Sequence, residues 1–121
     1  MTTQRVWKTT IPDIGEITAT MTTRQYSDGG RGYLFRFGGA VDDYGKTGFQ
    51  PGITAAVDDY SYPDHTREWT WTLCSDDYSL DEAGGAETIE RAEADMLGAF
   101  SRYFESDACA AMIRGYVDSN R

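Results

Sequence analysis

The hydrophobic periodicity of this chain changes once, near Asp81, and that change sets most of what the chain can fold into. Upstream of it the apolar residues recur at every second position. Ile17, Ala19, Met21 and Thr23 alternate with Thr18, Thr20, Thr22 and Arg24, the pattern of an amphipathic strand rich in β-branched residues, expected over 16–26. The segment 27–32 holds Gly29, Gly30 and Gly32; glycine accepts positive φ at little cost, so this reads as a hairpin loop. Over 33–41, Tyr33, Phe35 and Phe37 oppose Leu34, Arg36 and Gly38, with the aromatic side expected to face the core. Further strands are expected over 52–58, with Ile53, Ala55 and Val57 on one face, and over 68–75, with Trp69, Trp71 and Leu73 on one face. A short strand over 6–10 ends before Pro12, which suits an edge because proline has no N–H for the ladder.

Downstream of Asp81, Ile89, Ala92, Met96, Phe100 and Tyr103 fall at helical three- and four-residue steps. Asp81, Glu82 and Glu87 would favour the positive end of that helix, and Ala86, after Gly84-Gly85, is the expected first turn. Ser106-Asp107 reads as a break and a new N-cap, before a second apolar stripe of Cys109, Met112, Ile113, Tyr116 and Val117. The expected fold is α+β: an antiparallel β-meander of four to five strands followed by two C-terminal helices packed on one sheet face. Residues 1–121 are expected to form one domain.

With 40% hydrophobic and 13% aromatic residues, 121 residues can bury roughly two-thirds of the unfolded chain's surface, so neither a metal nor a cofactor is expected. There is no apolar run of about 18 residues, and the first residues lack the apolar stretch of a signal peptide; a cytoplasmic location is the expectation. In a reducing compartment Cys74 and Cys109 are expected to be two buried thiols.

Net charge is -9, from 20 acids and 11 bases. Such a chain repels nucleic acid and anionic membranes and attracts basic partners. The charge is uneven. Arg5, Lys8, Arg24, Arg31 and Arg36 outnumber Asp13, Glu16 and Asp28 in the first 36 residues, so the remainder carries all of the acidic excess.

Asp-Asp-Tyr occurs three times, at Asp42-Asp43-Tyr44, Asp58-Asp59-Tyr60 and Asp76-Asp77-Tyr78, each where an expected strand gives way to a loop. Aspartate is a poor strand residue and a good turn former, which accounts for those positions. Alternating strand directions in a meander would bring Asp42, Asp43, Asp76 and Asp77 to one end of the sheet. Asp13, Glu16, Asp81 and Glu82 would join them there, and Asp58 and Asp59 would lie at the other end. Carboxylates interspersed with the rings of Tyr44 and Tyr78 suit a surface that docks on arginines. The expected partner-binding residues are therefore Asp42, Asp43, Tyr44, Asp76, Asp77, Tyr78, Asp81 and Glu82.

Templates for catalysis fail. One histidine, His65, leaves a triad a single candidate, and there is no G-x-S-x-G elbow. Gly45-Lys46-Thr47-Gly48 lacks the upstream glycine loop of a phosphate cradle, and no C-x-x-C or H-E-x-x-H is present. Asp58, Asp59, Asp64 and His65 are the best minority case for an Asp-based metal-dependent enzyme, in a segment of ordinary turn composition. No catalytic residue and no metal ligand is expected.

In length, acidity, β-then-α layout and its Asp-Asp-Tyr steps, the chain resembles the small acidic inhibitor proteins of phages and mobile elements, such as anti-CRISPR proteins, and also nuclease-toxin immunity proteins. The resemblance implies a non-enzymatic inhibitor acting in a host cell's cytoplasm. It would bind a basic surface of a bacterial nucleic-acid-binding protein or CRISPR effector complex by acidic mimicry, touching neither nucleic acid nor membrane itself. An immunity protein and a phage structural or assembly protein are the alternatives, and association into a homodimer is left open.

Overall fold

Among the described residues, six antiparallel strands are followed by two helices: β1 (Gln4–Ile11), β2 (Gly15–Gln25), β3 (Arg31–Gly39), β4 (Ile53–Asp59), β5 (Trp69–Cys74), β6 (Asp81–Ala86), α1 (Ile89–Phe104) and α2 (Asp107–Ser119). These come from a computed structural model that describes residues 4–27, 29–39, 52–59, 69–76 and 80–119. The strands pair in sequence order, β1 to β6, in a single curled meander. Both helices lie on one face of it.

Register explains why the alternation in the sequence has the phase it has. Trp7 pairs with Ala19, Ala19 with Phe37, Phe35 with Ile53, and Val57 with Trp71. All of these side chains point to the helical face, because side chains on a strand alternate and paired residues share a face. Phe35, Ile53, Val57 and Leu73 have no exposed surface, Phe37 and Trp71 are buried, and Trp69 packs against the same cluster.

α1 closes this face with Ala92, Met96, Ala99, Phe100 and Phe104. The Phe100 ring stacks on Phe35 at 3.9 Å between centroids and meets Trp7 edge-on at 4.8 Å. Phe104 meets Phe37 edge-on at 5.8 Å. Fully burying each such ring contributes on the order of 1.5–3 kcal/mol. Three polar contacts fix the helix on the sheet. The Trp7 indole Nε1 donates to Ser101 Oγ at 2.8 Å, and Arg31 Nη1 and the Tyr33 hydroxyl both donate to Glu93 Oε2, at 3.1 and 2.5 Å. Burial, and after it the Glu93 carboxylate, push the Tyr33 phenol well above its usual pKa.

The helix ends follow local chemistry. Thr88 Oγ1 accepts from the Arg91 amide and caps α1. Ser106 Oγ accepts from the Cys109 amide at 3.2 Å, so the break and new N-cap expected at Ser106-Asp107 are present. Cys109, in the first turn of α2, is buried, and that burial raises its thiol pKa to about 11. Both thiols are free, but Cys74 is only half-buried, not buried as expected, because its strand register turns it to the sheet face away from the core.

Two further expectations need correction. The sheet has six strands, not four to five, and α1 begins at Ile89, not at Ala86. Residues 81–86 form β6, so Asp81 and Glu82 sit on a strand and not at a helix start. The segment DEAGGA has no apolar alternation, which hid it from a periodicity argument. Gly84 has a steric role instead: a Cβ there would come within 2.6 Å of the Trp71 Nε1, so a bare backbone is what lets β6 pair alongside that indole.

Candidate functional site

Tight turns bring one set of carboxylates together at one end of the sheet. Between β1 and β2, the Ile14 amide donates to the Ile11 carbonyl, and Asp13 adopts a φ of 71°, a left-handed conformation that aspartate tolerates better than most residues. This turn presents Asp13 and Glu16. Gly39 ends β3 with a φ of 94°, and a Cβ there would run into the Glu16 carbonyl, so β3 leaves the sheet hard against this turn. Between β5 and β6, the Ser75 amide donates to the Leu80 carbonyl at 2.9 Å, and the Leu80 amide donates back to Ser75 Oγ at 3.1 Å. Ser75 is buried, and its double clamp fixes where the chain leaves and re-enters the sheet.

Asp76 follows that clamp directly and Asp81 lies just beyond it. The Asp76 carboxylate rests on the bare Cα of Gly52, where any Cβ would collide with it. Asp81 pairs with Cys74 and Glu82 with Leu73, so the two carboxylates project on opposite faces of the same strand end. Asp13, Glu16, Asp76, Asp81 and Glu82 are all exposed. None of them makes a side-chain hydrogen bond or ion pair among the described residues. Three strand spacings separate β2 from β5, about 14 Å, so these charges span the sheet end and do not form a pocket.

Of the expected partner-binding residues, Asp76, Asp81 and Glu82 are thus at this end, with Asp13 and Glu16 beside them. Asp42, Asp43, Tyr44, Asp77 and Tyr78 lie outside the described residues, as do Asp64 and His65 of the minority metal case. Asp58 is exposed near the other end of the sheet, where β4 finishes. Among the described residues no group of three or more His, Cys, Asp or Glu side chains could hold a metal ion. No described helix is long and apolar enough to cross a membrane.

Sequence reasoning missed the Arg31–Tyr33–Glu93 contact, since nothing in local spacing joins a strand to a helix some 60 residues later. It also gave no role to the polar side of β2 and β3, where Arg24 and Arg36 stand. No protein family, curated protein or solved structure matches the chain.

Proposed function

We propose that this chain is a non-enzymatic binding protein that docks the acidic end of its sheet on a basic, nucleic-acid-binding surface of another protein, in the manner of anti-CRISPR-like inhibitors. The observation that carries the reading is the set of five exposed carboxylates at one end, Asp13, Glu16, Asp76, Asp81 and Glu82, without cationic partners among the described residues. Charges used to stabilise a fold are normally paired. Charges held at clamped strand ends with no partner among the described residues are available to the arginines and lysines of another molecule. A net charge of -9 steers such an encounter, which should slow as salt rises.

The test compares the unmodified protein with a variant carrying Asp13→Asn, Glu16→Gln, Asp76→Asn, Asp81→Asn and Glu82→Gln. Each is immobilised and exposed to bacterial lysate, with and without added nucleic acid. The reading expects proteins captured by the unmodified chain, displaced by nucleic acid and lost with the variant. Equal capture by the folded variant, or capture that nucleic acid leaves untouched, refutes it.

A further inference from the structure

The sheet face opposite the helices carries a recess of about 830 Å³. Its volume falls within the range of small-molecule sites. Its floor is built from two adjacent rows of the ladder: Leu34, Thr54 and Cys74 in one, Gly32, Ala56 and Thr72 in the next. Small side chains leave the space open, and the Tyr26 ring forms a wall by lying over Gly32, where a Cβ would strike the phenol.

The chemistry of this lining differs from that of the rest of the molecule. The chain carries nearly two acids for every base, yet the described residues lining the recess include Arg24 and Arg36 and no carboxylate. Arg24 pairs with Gly32, and Arg36 stands four residues further along β3, so their Cα atoms are about 14 Å apart, one toward each end of the recess. Arg24 makes no hydrogen bond or ion pair among the described residues, and the assignment rests on it. A guanidinium beside threonine hydroxyls offers donors to an anionic group, while Leu34, Ala56 and the Tyr26 ring offer an apolar bed.

We infer that this recess is a binding site for a small organic anion with a flat apolar body. The anionic group meets Arg24 and the neighbouring hydroxyls, and the body lies on Leu34, Ala56 and Tyr26. The site is separate from the acidic end and stands or falls independently of it.

The experiment titrates 1-naphthoate into the ¹⁵N-labelled full chain and follows amide shifts. For an anion of this size a Kd on the order of 1 mM is expected. Saturable shifts should cluster at Arg24, Leu34, Thr54 and Thr72, and the neutral isostere 1-naphthamide should bind at least about fivefold more weakly. Arg24→Ala should weaken naphthoate binding by a similar factor. Ala56→Leu, which fills the floor without changing charge, should abolish it. Both substitutions lie on the face away from the core, and thermal unfolding verifies that each variant is folded. The inference is overturned if naphthoate gives no saturable shifts at roughly ten times the expected Kd. It is also overturned if the shifts fall elsewhere, if naphthamide binds as well as naphthoate, or if the folded variants bind unchanged.

Discussion

Tyr33→Phe removes a single hydroxyl, and the structure says how much that should matter. Tyr33 is 3% exposed, and its hydroxyl donates to the Glu93 oxygen that Arg31 also reaches at 3.1 Å. A hydrogen bond to a charged group contributes about 1.5–3 kcal/mol. Arg31 remains in the variant, so the carboxylate is not left without a partner, and a cost near the lower end, about 1.5 kcal/mol, is expected at pH 7. For a chain of this length the unfolding entropy is roughly 0.25 kcal/mol per degree, so the melting midpoint should fall by about 6 °C. The pH dependence is sharper. Burial and Glu93 raise the phenol's pKa in the folded protein above the value near 10 of an unfolded tyrosine. Above pH 10 the unfolded chain therefore binds fewer protons than the folded one, and stability falls as pH rises. At the limiting slope of about 1.4 kcal/mol per pH unit, the advantage of the unmodified protein over the variant should vanish near pH 11. The Cys109 titration is common to both proteins and cancels in the difference. Urea unfolding of the two proteins at pH 7, 9, 10.5 and 11, as assay conditions, checks this. Equal stability at pH 7, or a gap that persists undiminished at pH 11, refutes the reasoning.

Phe100→Ala should cost about 3–5 kcal/mol, because the ring is fully buried between Phe35 and Trp7; a midpoint shift below about 5 °C in thermal unfolding contradicts that packing. Gly39→Ala should destabilise by more than about 1 kcal/mol, since it combines a φ of 94° with a clash on the Glu16 carbonyl, and a neutral result in urea unfolding refutes that geometry. Treatment with EDTA should leave the melting midpoint unchanged; a fall of several degrees reveals a structural ion.

The meander was legible because one face of each central strand is buried and the other is not. Ile17, Ala19 and Met21 on β2, or Phe35 and Phe37 on β3, mark that face by alternation alone. α1 and α2 were legible from their apolar stripes and from Ser106. β6 was not, because it pairs by backbone and by the absence of a side chain at Gly84, and neither leaves a periodic signal. The convergence of Asp76, Asp81 and Glu82 with Asp13 and Glu16 followed from strand direction, which sequence order fixes in a meander. The recess did not, because its lining comes from four strands and its character depends on which side chains the register aligns across them.

The central claim is that the acidic end touches the partner, and zero-length carbodiimide coupling tests it most directly by joining carboxylates to lysines within contact distance. Applied to the complex captured from lysate and read by mass spectrometry, it should link the partner to Asp13, Glu16, Asp76, Asp81 or Glu82. Links confined to Glu87, Glu90 and Glu105 would place the contact on the helical side and contradict the account.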